Sequence, residues 1–135
     1  MKHDEFIGQV QHRARLSSRG DAERATKATL QTLGERLSGG EAKDVASQLP
    51  PLLADYTLSG LAGMGERFTV KEFFQRVSER EGVKFPQAAF HTQAVLGVLQ
   101  EAVTRGEIND IRSQLPAEYH YLFEASNQAA KQHPA

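Results

Sequence analysis

A chain of 135 residues with a formal net charge of -1 is long enough to bury one hydrophobic core. Its 39% hydrophobic and 24% charged residues are ordinary for a folded domain and exclude wholesale disorder. The balanced charge disfavours bulk nucleic acid or an anionic membrane as a partner, and the lack of cysteine excludes disulfides and thiolate chemistry. Because no apolar stretch approaches the length of a membrane span, we expect a cytoplasmic protein without a membrane segment.

The first 58 residues predict four helices in succession. The first helix carries an apolar residue at every fourth position, at Phe6, Val10 and Ala14, which is typical of one helical face. The second has an apolar stripe over residues 22–37, which indicates roughly four or five turns. A short third helix ends in the tetrapeptide SQLP at 47–50, and a fourth segment follows it. The next stretch, 59–68, is rich in glycine and is expected to be a linker.

Residues 69–124 repeat this pattern. The residues that recur at a shift of 66 positions include Ala22 with Ala88, Leu33 with Leu99, Glu41 with Glu107, Asp44 with Asp110, and SQLP at 47–50 with SQLP at 113–116. We interpret the match as the tandem duplication of a unit of roughly 60 residues. The remaining residues, 125–135, are small and polar and are expected to form a frayed tail.

The repeated SQLP is interpreted as a corner between two helices and not as a catalytic signature. Proline disfavours helical geometry in the residue before it, so Leu49 and Leu115 are predicted to end their helices with their side chains inward. The serine and the glutamine are expected to face outward or to cap the chain locally. The repeated acids Glu41 and Glu107 are explained by their place at helix starts, where a negative charge favours the helix dipole.

Together these patterns predict an all-α fold. We expect a pseudo-symmetric helical bundle of about eight helices, made of two tandem helical repeats that form one compact domain. The repeats are expected to pack through their long second helices. Gly39, Gly40 and Gly106 are expected to stop those helices, because glycine accepts the left-handed conformation that closes a last turn.

Three stretches carry a family resemblance, namely GERLSGGEAKDVASQLP, FTVKEFFQRVSEREGV and LQEAVTRGEINDIRSQLPAEYHYLF. They resemble the bacterial family catalogued as domain of unknown function 2267, over nearly the whole chain from Phe6 to Phe123. The resemblance implies an all-helical bacterial protein, without an activity that can be carried onto any residue. Because the module in that family also occurs beside other domains, the resemblance implies regulation or binding rather than catalysis.

The sequence shows no catalytic, metal-binding or cofactor-binding pattern. Its five histidines are scattered, and none belongs to a dense ligand pattern such as HExxH. His91 stands where the first repeat has Ala25, and an enzyme would need a pocket that joins His91 or His120 to a carboxylate. We therefore expect a protein that is not an enzyme and that uses no metal or cofactor.

The favoured function is a non-catalytic protein-binding or regulatory module, which binds a protein partner or a second copy of itself. The second long helix is apolar on more than one face, so a neighbouring repeat or a partner chain is expected to cover it. The possible interaction surface comprises Phe90, His91, Val98 and Tyr121.

The alternative function is nucleic-acid binding through a helix-turn-helix-like unit. The possible contacts are the basic residues Arg13, Arg15, Arg19, Arg24 and Lys27. This alternative is the less favoured of the two, because acidic residues interrupt the basic cluster and phosphate binding depends on positive charge.

Overall fold

The structure, a computed structural model, describes residues 1–132 and consists of helices. They are α1 (His3–Arg13), α2 (Arg19–Arg36), α3 (Glu41–Ser47), α4 (Pro51–Leu58), α5 (Val70–Glu81), α6 (Phe85–Ala102), α7 (Arg105–Ser113) and α8 (Ala117–Gln132). The all-α fold and the expected number of helices are confirmed, and no strand occurs within 1–132. A pseudo-twofold relation between α1–α4 and α5–α8 stays a prediction. None of these helices combines the length and the apolar character needed to cross a bilayer.

Side-chain caps explain where several helices begin. The Ser18 hydroxyl accepts a hydrogen bond of 3.1 Å from the Asp21 amide at the start of α2. At the start of α5, Thr69 and Glu72 form a complete capping box, in which each side chain accepts a bond of 3.1 Å from the other residue's amide. These bonds satisfy amides that a helix start otherwise leaves free.

The glycines predicted to stop the two long helices lie further along the chain. Leu37 and Val103, the residues that follow α2 and α6, already have extended backbone. Both side chains are buried in the core, so the chain changes direction before it reaches a glycine. Gly39 and Gly40 instead precede α3, and Gly106 lies in the first turn of α7.

The two long helices, α2 and α6, lie against each other at the centre of the fold. α1 and α5 each contact both of them, α4 covers α2, and α8 covers α6. The short helix α3 packs on α4 and contacts α7. One hydrophobic cluster runs through both halves, and its largest buried side chains include Phe6, Phe73, Tyr119 and Phe123. Because α1 and α5 also contact the long helix of the opposite half, each half supplies part of the other's core.

The segment predicted as a linker, 59–68, packs along the end of α2. The amides of Gly63, Gly65 and Glu66 donate to carbonyls at the end of α2 and just after it, at 2.9–3.0 Å. Gly65 has a φ of 65°, and a Cβ at this position would lie 2.6 Å from the Ser38 Cβ. Glycine is therefore required there. The segment is a docked connection between the halves and not a loose chain.

The two SQLP corners bury the leucine and start a helix after the proline as predicted, but α3 and α7 end at Ser47 and Ser113, two residues before the leucines. Leu49 and Leu115 are buried, and α4 and α8 begin directly after Pro50 and Pro116. Each corner serine donates its hydroxyl to a carbonyl three residues earlier, at 2.6 and 2.7 Å. Gln48 is half-buried and Gln114 is exposed, but neither side chain caps its own corner, because each bonds to the other half of the chain.

The last helix continues past residue 124, where the second repeat was predicted to end. α8 extends to Gln132, and Ser126 is buried with its hydroxyl donating to the Leu122 carbonyl at 2.7 Å. α8 packs against α6, and the chain stays helical beyond residue 125, where fraying was expected. The end of the predicted tail, 133–135, lies outside the described residues.

Candidate functional site

Four acidic residues meet where α3 of the first half contacts α7 of the second half. This acid cluster comprises Glu41 and Asp44 on α3, and Glu107 and Asp110 on α7. One carboxylate oxygen from each of Glu41, Glu107 and Asp110 lies within 4.8 Å of the other two. Glu107 is only 5% exposed, Glu41 is partly buried, and Asp110 is exposed. The acid cluster is therefore buried on one side and open to solvent on the other.

The glutamines of the two SQLP corners cross this contact in opposite directions. The Thr104 amide, just ahead of α7, donates to Gln48 Oε1 at 2.8 Å, while Gln48 Nε2 donates to Glu107 Oε1 at 3.2 Å. The Ser38 amide, just ahead of α3, donates to Gln114 Oε1 at 3.1 Å. Each of these crossed glutamines, Gln48 and Gln114, thus satisfies a backbone amide of the other half.

Gln48 releases Glu107 from helix capping. Thr104 and Glu107 have the spacing of a capping box, and the Thr104 hydroxyl accepts a bond of 3.1 Å from the Glu107 amide. In the complete box of α5, the Glu72 carboxylate accepts from the threonine amide. Gln48 already holds the equivalent amide of Thr104. The Glu107 carboxylate is therefore free to lie against α3.

No cation pairs with Glu107 among the residues that the structure describes. Its Oε2 atom and the Oε2 atom of Glu41 are shielded from solvent and have no hydrogen-bond partner. Burial raises the pKa of Glu107 to about 8, together with the hydrogen bond that protonated Glu107 makes to Glu41 and the charges of Glu41, Asp44 and Asp110. A buried carboxylate without a partner is unfavourable, so this arrangement favours a proton or a cation between the acids.

A second buried glutamate shows how the same chain compensates a charge elsewhere. Glu35 on α2 is 4% exposed, and it accepts hydrogen bonds from Arg76 at 3.1 Å and Arg80 at 2.7 Å. Both arginines belong to α5, and Arg76 also pairs with Glu66 of the docked segment. Glu35 is thus part of an ion-pair network that joins the two halves. Glu107 has no such network, so its charge is not compensated by an arginine.

The helix-dipole interpretation of the repeated acids was incomplete. Glu41 and Glu107 do lie in the first turns of α3 and α7. The sequence interpretation missed that they meet, and it missed the crossed glutamines altogether. A usable signal was present, because both acids follow a serine or threonine by three positions and both halves repeat the glutamine.

The four residues predicted as an interaction surface do not form one exposed face. Phe90 and Tyr121 are exposed, but Val98 is fully buried and His91 is 7% exposed. α6 is apolar on more than one face because α1, α2, α5 and α8 all pack against it. Partner binding through Phe90 and Tyr121 stays a prediction.

His91 is buried beside Glu81, with 2.5 Å between His91 Nδ1 and Glu81 Oε2. In the first half, Ala25 corresponds to His91 at the shift of 66 positions. Ahead of the long helix the two halves match at a shift of 67 positions, so Ala14 corresponds to Glu81. The second half therefore has a polar pair where the first half has two buried alanines. Because both positions differ from the repeat together, the sequence contains a signal that His91 and Glu81 are in contact. His120 lies apart from this pair and contacts a carbonyl of α7 at 2.7 Å.

The basic residues predicted to contact nucleic acid do not form a cluster of free cations. Arg13, Arg19 and Arg24 each pair with a carboxylate. Arg15 and Lys27 are exposed. The three ion pairs lower the positive charge that phosphates would meet, and nucleic-acid binding stays a prediction.

Comparison with known proteins identifies the family. The model of a family described as an uncharacterized conserved protein matches residues 3–122, a range that includes both SQLP corners and the whole acid cluster. No curated protein matches the chain. The resemblance carried by the three quoted stretches is thereby confirmed, and the chain belongs to the DUF2267 family of uncharacterized conserved proteins.

Proposed function

We propose that this protein is a non-catalytic regulatory module whose responsive element is the acid cluster between its two halves. The observation that carries the proposal is the buried Glu107 carboxylate, which has an unpartnered oxygen facing a second carboxylate across the α3–α7 contact. When both acids are ionised they repel each other, and a species that neutralises them strengthens the contact. The net charge of the acid cluster thus determines the stability of the α3–α7 contact between the halves.

The fold supports this coupling through the crossed glutamines. Gln48 contacts both the Thr104 amide and Glu107, so a displacement of the acid also affects the start of α7. Gln114 contacts Ser38, which forms an isolated antiparallel bridge with Met64 of the docked segment. A change at the acid cluster can therefore reach the segment that joins the halves. A protein partner and a cytoplasmic setting belong to this proposal as expectations.

Hydrogen–deuterium exchange tests the coupling. Glu107→Gln removes one charge from α7, and the matched control Glu79→Gln removes one from an exposed position on α5. At pH 8, with a chelator present, we expect Glu107→Gln to slow exchange several-fold in α7 and also in α3, which belongs to the unmutated half. The control should leave both helices unchanged. Unaltered exchange in α3 would show that the two halves are not coupled through this cluster.

A further inference from the structure

We propose that the acid cluster is a binding site for a hard divalent cation of the calcium, magnesium or manganese type, with Glu41, Glu107 and Asp110 as its protein ligands. This inference deepens the proposed function by naming the species that neutralises the acids. The cation would lie between α3 and α7, and one ion would thus be bound by both halves of the chain.

The donor set selects the class of cation. All three candidate ligands are carboxylates, and neither cysteine nor histidine belongs to the group. Oxygen donors favour calcium, magnesium and manganese, whereas zinc and copper prefer nitrogen or sulfur donors.

The spacing of the donors fits a single ion of the size of calcium. Oxygens that bind one calcium ion lie on a sphere of roughly 2.4 Å radius, so no two of them can be further apart than about 4.8 Å. The three carboxylate oxygens of Glu41, Glu107 and Asp110 satisfy this limit. Asp110 lies on the exposed side, which leaves room for water molecules to complete the coordination.

The orphaned atom at the buried end of the cluster points to a ligand independently of the acid count. Glu107 is only 5% exposed. Its Oε1 atom accepts a hydrogen bond from Gln48, and its Oε2 atom has no hydrogen-bond partner. Glu35, the other buried glutamate described above, has no unpartnered oxygen, because two arginines bind its two carboxylate oxygens. Gln48 fixes the orientation of Glu107 without using the atom that a cation would need.

Calorimetric titration of the full-length, chelator-treated protein with calcium, magnesium and manganese chlorides tests the site. We expect one ion per chain for at least one of these metals, with a dissociation constant on the order of 10⁻⁵–10⁻³ M because few protein ligands and several waters would bind it. Glu107→Gln should weaken binding at least tenfold. Asp110→Asn, at an exposed position, should weaken it less, and Glu79→Gln should leave it unchanged.

Three results would overturn the cation assignment. The first is that none of the three metals binds at concentrations up to about 10 mM. The second is that Glu79→Gln weakens binding as much as Glu107→Gln does. The third is that Glu107→Gln leaves the binding unchanged. If no metal binds but Glu107→Gln still slows exchange in α3, a proton is the neutralising species and the proposed function survives without the cation. If neither effect occurs, the proposed function fails as well.

Discussion

Replacing Glu107 by glutamine should stabilise the metal-free protein at alkaline pH and leave its stability nearly unchanged near pH 4.5. In the folded chain burial, followed by a hydrogen bond to Glu41 and then by the charge of Glu41, raises the pKa of Glu107 to about 8, whereas its ordinary value is 4.5. The stability that depends on this proton is complete below the unfolded pKa and is lost as pH rises through the folded pKa. Glutamine keeps the shape of the side chain and an oxygen for Gln48 but has no proton to lose.

The magnitude follows from the difference between the two pKa values. One pKa unit corresponds to about 1.4 kcal/mol, so the wild-type protein loses at most about 5 kcal/mol between pH 4.5 and pH 8 through this group. Relaxation on the open side of the acid cluster, where Asp110 meets solvent, reduces the loss. We expect Glu107→Gln to exceed the wild type by roughly 2–4 kcal/mol at pH 8.5.

Urea unfolding followed by circular dichroism, from pH 4.5 to pH 9 in chelator-containing buffer, measures this difference. The free energies of unfolding of the two proteins should separate between pH 4.5 and pH 8 and then stay parallel. Glu79→Gln controls for the loss of one negative charge from the surface. A difference that does not vary with pH, or a Glu107→Gln protein less stable than the wild type at pH 8.5, would refute the reasoning.

Three further experiments test the packing around α2 and the contact between the halves. Gly34→Ala should lower the free energy of unfolding by about 3 kcal/mol in the same urea assay, because the new Cβ would lie 2.0 Å from a carbonyl oxygen of α4. Gly8→Ala is the control: its Cβ meets no atom within 4 Å, so it should stabilise α1 by about 0.5 kcal/mol. Glu35→Gln should cost about 3 kcal/mol, because it leaves two arginines of α5 without their buried partner; a loss below about 0.5 kcal/mol would show that this network is dispensable. A fragment ending at Gly60 lacks α5 and α6, which pack on α2, so its thermal unfolding should be non-cooperative, and a sharp transition would contradict a shared core.

The parts of the fold that local chemistry determines could be predicted from the sequence. Proline acts on the residue before it, so the corners at Leu49 and Leu115 follow from two adjacent residues. The cap formed by Thr69 and Glu72 also depends on residues only three positions apart. Apolar spacing predicted the helices because burial on one face imposes the helical period.

The parts that tertiary contacts determine could not be predicted. The amides that Gln48 and Gln114 satisfy lie 56 and 76 residues away along the chain, so no local pattern indicates them. Val98 was expected on an interaction surface because its helix has excess apolar residues, yet helices of the same chain cover them. The pairing of Glu107 with Glu41 has the same origin, since it depends on how α3 and α7 meet.

Amide exchange measured by NMR at Ser38 and Thr104 tests most directly whether the repeated motif joins the two halves. Gln48→Ala should speed exchange of the Thr104 amide about fivefold, and Gln114→Ala should do the same for Ser38, because each loses a hydrogen bond worth roughly 1 kcal/mol. Each substitution thereby acts on the half to which it does not belong. Exchange that changes only within the mutated half, or at neither amide, would contradict the crossed arrangement on which the acid cluster depends.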